Sequence, residues 1–425
     1  MIAHAVGLEN ILRFMVVLWM LKSEGVVIHM NQYDEVTYLA GVRKVSSHAF
    51  LPFDNILCEF LDDLSTELRS NDKSSVYPDI FAFAFWCRKA NINKHKAYFN
   101  RGEHRLGLGV VFHITPSNVP VNFAFSFVFG LLSGNANIVR VPSKTFPQIE
   151  IICEIIEILF TLEKYKEIKS MTSFVKYKQN DEITGMYSIN SNARIIWGGD
   201  EAIKNIRKLA IQERCIDIAF SDRYSFCVIE APSIIKLNKA ELIRLSESFY
   251  NDTYLMDQNA CSSPHLIIWL GEEIEEAKEL FWNAVYETVS KKYELKAVNA
   301  VSKYTMLCQN AIDLNNIRSF KSHGNHIYRL ELEKLPNNID SFRGKFGYFY
   351  EINIDNLNSI EYVVNSKYQT LTYFGADKSI FLDFVLKNRL AGIDRIVPIG
   401  KALDMDLIWD GYDIIRSLSR IIDIK

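Results

Sequence analysis

The sequence has no CxxC pair and no close cluster of cysteines: Cys58, Cys87, Cys153, Cys215, Cys227, Cys261 and Cys308 are odd in number and scattered over 425 residues. That pattern argues against a zinc site, a redox dithiol or a disulfide framework, and it points to a reducing, cytoplasmic compartment with no metal. Charge of one sign is also missing. A formal net charge of -3 shows no bias toward nucleic acid or an anionic membrane. Long hydrophobic runs are lacking too: Ile11 to Leu21 is apolar except for Arg13, whereas a membrane span needs about twenty apolar residues. No small-residue cleavage site follows Leu21. Residues 1–30 are expected to be an N-terminal extension, because Met30 and the polar Asn31-Gln32-Tyr33-Asp34-Glu35 would also make a plausible start. Gly107-Leu108-Gly109 lacks the third glycine of a dinucleotide fingerprint, since Phe112 takes its place. There is no internal repeat and no low-complexity segment.

Apolar residues are plentiful, at 48% of the chain with 12% aromatic. At this length two principal domains are expected, with a smaller appended element. Phe53 to Leu68 and Tyr77 to Arg88 have the apolar spacing of packing helices. An α/β pattern then begins. Gly109 to Ile114 reads as a buried strand, Thr115-Pro116-Ser117-Asn118-Val119-Pro120 as a sharp turn, and Asn122 to Leu132 as a helix. Asn137 to Val141 is the next strand, closed by Pro142-Ser143-Lys144 and followed by a helix from Phe146 to Leu162. Ligands on parallel sheets bind beyond the carboxyl ends of such strands.

After a polar, lysine-rich stretch, 163–181, Ala193 to Trp197 reads as a strand and Gly198-Gly199 as a turn into the helix Asp200 to Leu209. Glycines at a helix start suit a phosphate, although Asp200 and Glu201 equally suit ordinary capping. Strands at Cys215 to Phe220 and Phe226 to Glu230 are expected to complete this first sheet. A helix, Asn238 to Tyr250, leads into the segment Tyr254 to Pro264, which sets Cys261 among small and polar residues before the apolar run Leu266 to Leu270. Such a loop suits a nucleophile, although most intracellular cysteines are buried and inert. The tail is expected to end in an amphipathic helix.

Taken together, several motifs resemble the LuxC-type acyl-CoA reductases of the aldehyde dehydrogenase superfamily. They are Tyr77-Pro78-Asp79-Ile80 with Phe85-Trp86-Cys87-Arg88, His113 to Pro120, Gly130 to Asn137, Trp197-Gly198-Gly199-Asp200-Glu201, Asp257 to Pro264, and Asp394 to Gly400 with Trp409-Asp410-Gly411-Tyr412. The resemblance implies an α/β fold with two parallel-sheet domains and a small oligomerisation element. It implies a cofactor domain over 31–233, a catalytic domain over 234–395, and a C-terminal segment, 396–425, that packs on the cofactor domain or a neighbouring subunit. Cys261 is then the nucleophile and Asn118 the side-chain donor of an oxyanion hole. The cofactor would lie on Thr115, Pro116, Ser117, Arg140, Ser143, Lys144, Gly198, Gly199 and Phe346.

This chain departs from the superfamily pattern in three places. The glutamate that activates a deacylating water is replaced by the stretch Phe220-Ser221-Asp222-Arg223-Tyr224, which suits reduction over hydrolysis, with Asp222 a conceivable substitute. Lys144 stands where NAD-preferring members usually carry an acid, so NADPH is expected over NADH. The glutamate that holds the nicotinamide ribose aligns with Gly344. The function implied is NADPH-dependent reduction of a fatty acyl-CoA or acyl-protein thioester to an aldehyde through an acyl-cysteine. Partners would be an acyl-protein synthetase and further copies of the chain, with no nucleic acid and no membrane span. An acyl-CoA-forming aldehyde dehydrogenase and a non-catalytic interaction subunit are the alternatives.

Overall fold

The computed structural model describes residues 35–99, 102–117 and 119–425. The expected extension at 1–30 lies outside them, and so does Asn118. The chain forms two compact units. One comprises the described residues up to Lys94 with Gly107–Ile195 and Ile206–Asp217; the other comprises His95–Leu106, Ile196–Asn205 and Ile218–Lys425.

The first sheet has six strands: β1 (Thr37–Gly41), β2 (Val110–Ile114), β3 (Ala136–Arg140), β4 (Thr172–Lys176), β5 (Ala193–Trp197) and β6 (Ile216–Phe220), in the order β1-β4-β3-β2-β5-β6. Pairing is parallel between β2 and β3 and between β3 and β4, while β1 closes one edge antiparallel. The helix Asn122–Leu132 is apolar on nearly every side, and all but two of its residues are buried. It sits where a sequence with no polar face must sit. His113, buried on β2, donates from Nε2 to Asn137 Oδ1 at 2.9 Å and accepts from Ser126 Oγ at 2.8 Å through Nδ1. Burial pushes its pKa down to about 4. It is a neutral cross-tie between two strands and a helix.

A second sheet has seven strands: β7 (Tyr224–Glu230), β8 (Pro264–Leu270), β9 (Ile317–His323), β10 (Ile327–Leu332), β11 (Tyr348–Ile354), β12 (Tyr368–Phe374) and β13 (Arg395–Pro398), in the order β9-β10-β11-β8-β7-β12-β13. Only the β9–β10 hairpin is antiparallel. The central strands β7 and β8 are apolar on both faces and buried along almost their whole length, as expected of parallel strands with both faces covered. Within this core Glu351 accepts from Trp269 Nε1 at 2.7 Å, Trp282 Nε1 at 2.8 Å and Arg329 Nε at 2.9 Å. Carboxylate and guanidinium are both 1% exposed, and deleting one partner of such a pair costs about 3–5 kcal/mol.

Three expectations from sequence are corrected. Tyr224–Glu230 does not complete the first sheet but runs through the middle of the second, because its apolar residues alternate onto both buried faces. The lysine-rich stretch contains β4, whose Thr172 and Ser173 are buried and mask its strand character. The tail holds only one helical turn, Ile414–Ser417, before the strand Ser419–Ile421, which pairs with Arg105–Gly107. Arg105 stops that helix by donating to the carbonyls of Arg416 at 2.7 Å and Ser419 at 2.6 Å. Among the described residues no helix is long and apolar enough to cross a membrane.

Candidate active site

Asn238 and Glu241 form a reciprocal capping box at the start of the helix Lys239–Thr253, which fixes where that helix begins. After a single 3₁₀ turn, Tyr254–Met256, the chain reverses through two consecutive left-handed residues, Asp257 at φ 53° and Gln258 at φ 57°. Non-glycine residues rarely adopt this conformation, so the surroundings must hold it.

Gln258 does much of the holding. Only 1% exposed, it accepts from the N–H groups of Gly347 and Tyr348 at 2.8 and 3.1 Å and donates to the carbonyls of Pro264 and Tyr348 at 3.3 and 3.2 Å. Asp257 takes the Tyr293 hydroxyl at 2.5 Å. Ser263 Oγ donates to Asp252 O at 2.7 Å, and the Asp252 carboxylate in turn accepts from Gly400 N at 2.6 Å and Ala402 N at 2.9 Å. The loop is therefore tied to β11 on one side and to the segment after β13 on the other.

Cys261 stands three residues before β8 and is partly exposed. Burial raises its thiol above the ordinary cysteine value; the Arg223 backbone and the Arg343 guanidinium oppose that, while Asp410 and Asp222 add to it. Two charge pairs flank the thiol. Arg343 Nη1 meets Asp222 Oδ1 at 2.6 Å, and Arg223 pairs with Asp394. Asp410 instead accepts from the amide of Gln369. Charges of both signs, Asp222, Asp410 and Arg343, thus act on the sulfur.

The histidine after the loop is a buried, neutral ring. His265 is buried and stacks on Tyr224 at 5.5 Å, and its Nδ1–H donates to Gly344 O at 3.0 Å. Burial first, and then Arg343, push its pKa down to about 3, so the ring stays neutral. Gly344 itself has no room for a side chain, because a Cβ there would lie 1.7 Å from Tyr348 O. That position cannot carry a ribose-binding glutamate whatever the alignment. Phe346 adopts φ 57°, sends its N–H to Asp257 O at 3.3 Å and receives Lys303 Nζ on its carbonyl at 2.8 Å.

The proposed cofactor residues fall in both units. In the first, Thr115 Oγ1 donates to Arg140 O at 2.7 Å, joining the ends of β2 and β3, and Pro116 is half-buried beside the exposed Ser117. Arg140 covers the Tyr177 ring at 4.5 Å, and Ser143 and Lys144 are exposed just beyond, with the Lys144 ammonium 5.1 Å from the Phe146 ring centroid. Hydroxyls and two cations at the carboxyl ends of adjacent parallel strands suit an anionic, phosphate-bearing ligand. In the second unit Gly199 is exposed at the start of the helix Asp200–Arg207, and a Cβ there would meet nothing within 4 Å. Gly198 N instead bonds Phe220 O at 3.2 Å.

The sequence model of the acyl-CoA reductase (LuxC) family matches residues 90–422. The chain belongs to that family. The LuxC-family chain is similar to the long-chain acyl-protein thioester reductase of Photorhabdus luminescens, at 23% identity over 323 residues, which cover 73% of this chain. The match spans 62% of the length of that relative. Among solved structures, aldehyde dehydrogenase 21 of Physcomitrella patens, in complex with succinate, aligns with a TM-score of 0.61 at 11% identity, covering 86% of this chain and 85% of that one. The glyceraldehyde-3-phosphate dehydrogenase of Methanocaldococcus jannaschii, complexed with NADP, aligns at 0.57 and 14% identity, covering 87% and 88%. The LuxC-family chain thus has the aldehyde dehydrogenase fold. Arg223, Arg343, Asp394 and Asp410 were given no role from sequence, although Asp394 and Asp410 lie in motifs that carried the resemblance and Arg223 in a stretch that departs from it; their partners are too far away along the chain for spacing to reveal.

Proposed function

We propose that the chain is an acyl-thioester reductase that forms a fatty aldehyde through an acyl group held on Cys261. The observation that carries the reading is the loop itself: a partly exposed thiol on a backbone held in a strained turn by buried Gln258, with Asp222-Arg223 beside it where hydrolytic relatives carry a glutamate. Cys261 attacks the thioester carbonyl and the donor thiol departs. Asn118 and the backbone N–H of Cys261 are the donors proposed for the oxyanion. Asp222 is held in an ion pair by Arg343 at 2.6 Å, away from the role of a base toward water, which favours retention of the acyl group.

The first unit takes the cofactor role, with Thr115, Pro116, Ser117, Arg140, Ser143 and Lys144, joined by Gly198, Gly199 and Phe346 from the second. When bound, NADPH supplies the hydride. Lys144 and Arg140 give the preference for a 2′-phosphate. The name of the Photorhabdus relative favours an acyl-protein donor alongside acyl-CoA. An acyl-protein synthetase, a homo-oligomer and a cytoplasmic setting complete the reading. The test is to incubate the full chain with a long-chain acyl-CoA and NADPH. Aldehyde, NADPH oxidation and an acyl adduct at Cys261 are expected, all lost in Cys261→Ala. Aldehyde formation that survives Cys261→Ala would remove the reading.

A further inference from the structure

Acyl transfer to Cys261 needs a proton acceptor, because burial holds its thiol protonated at neutral pH. The carboxylates around it differ in one respect. Asp222 is paired with Arg343 and Asp394 with Arg223, so each must break an ion pair to take a proton, even though burial lifts the Asp394 carboxyl too, with Arg223 opposing. Asp410 takes its hydrogen bond from a neutral amide, Gln369 Nε2.

Its position is built. Ile408–Trp409 and Tyr412–Asp413 pair as a hairpin whose two-residue turn is Asp410-Gly411, at φ 49° and 76°. Left-handed conformations at both positions define a type I′ turn, which sets the direction of the side chain at its first position. Gln369 is 2% exposed. The next residue, Thr370, donates its N–H to Ser225 Oγ at 3.2 Å, and Ser225 Oγ donates to Cys261 O at 2.7 Å. One strand therefore fixes both the carboxylate and the residue that bears the sulfur. Burial lifts Asp410 above the usual aspartate value, with Gln369 and Arg223 opposing and Asp394 adding to the lift. Its charge acts on the Cys261 thiol together with those of Asp222 and Arg343.

We propose that Asp410 is the general base that takes the Cys261 Sγ proton as the sulfur attacks, and the acid that returns it to the departing thiol. This rests on the acyl-transfer reading above. In the first half the S–H bond breaks, its proton goes to the carboxylate, and the sulfur forms the bond to the acyl carbon. In the second the carbon–sulfur bond to the donor breaks, and the donor thiolate takes the proton from Asp410. No electrons change hands.

Two rates measured side by side on the full chain test this over a range of pH. One is single-turnover transfer of a tetradecanoyl group from its CoA thioester to Cys261, followed by protein mass spectrometry. The other is iodoacetamide alkylation of Cys261, which reports thiolate alone. Asp410→Asn should slow acyl transfer about a hundredfold or more, while alkylation at neutral pH becomes faster because a nearby negative charge is gone. Asp410→Glu should regain part of the transfer. Undiminished transfer in Asp410→Asn, or transfer and alkylation falling in parallel, would overturn the assignment. A wild-type chain that takes no acyl group would instead overturn the functional reading. The alkylation profile then decides separately: an Asp410→Asn curve that superimposes on wild type removes Asp410 from the thiol.

Discussion

The hydroxyl of Ser225, the second residue of β7, is bonded to the carbonyl of Cys261 at 2.7 Å, so the main chain of Cys261 is anchored to a central strand. Ser225→Ala leaves that carbonyl and the Thr370 N–H without their partner. We expect a loss of about 1–3 kcal/mol. Urea unfolding measures it, and acyl transfer to Cys261 should fall with it as the loop loosens. A variant as stable and as active as wild type would show that the anchor is dispensable.

Gln258 makes a stronger test of the loop. Gln258→Leu keeps the approximate volume but strips the acceptor from Gly347 N and Tyr348 N and the donor from two carbonyls. The expected cost is on the order of 3 kcal/mol, since buried donors left unpaired lose their full desolvation term. Gln258→Glu should recover only part of it, because a carboxylate accepts from the two N–H groups yet cannot donate. Equal stability of the Leu variant and wild type would contradict the role given to this side chain.

Asp252 gives a pH dependence. Burial raises its carboxyl to about 7, against the two N–H donors of Gly400 and Ala402. Between about pH 4 and 7 the folded chain keeps a proton that the unfolded chain has released, so this group's contribution falls as pH rises through that window and is flat above it. The loss is on the order of 4 kcal/mol at most. Asp252→Asn should abolish it. Urea midpoints at pH 5 and pH 8 should therefore differ more for wild type than for the variant; equal differences would refute the shift.

In the proposed function Lys144 sets cofactor choice. Lys144→Ala should cut the NADPH over NADH preference in kcat/KM about tenfold, the worth of one hydrogen bond to a charged group. An unchanged ratio would move the 2′-phosphate elsewhere, with Arg140→Ala the next variant to measure.

The sequence carried the local signals well. The helix Asn122–Leu132 and the strand Ala193–Trp197 end where the pattern says they should, since apolar periodicity and the flanking glycines act over a few residues. Thr172–Lys176 was hidden because its polar residues are buried by partners on other strands. Tyr224–Glu230 was assigned to the wrong sheet because strand order is set by pairing that no window spans. The likeness of Cys261 to a nucleophile was legible from neighbouring residues and motif order. What surrounds the sulfur was not: Arg343 lies 82 positions along the chain from it, Asp394 133 and Asp410 149, and each is brought near by the packing of a sheet.

The two tryptophans on Glu351 have a use as a clock. Both indole protons rest on one oxygen of a buried carboxylate, sealed by β8, β11 and the helix Ile274–Lys292. Water reaches them only when that core opens. Their deuterium uptake therefore times the opening of the second sheet, a core event read independently of any chemistry at Cys261.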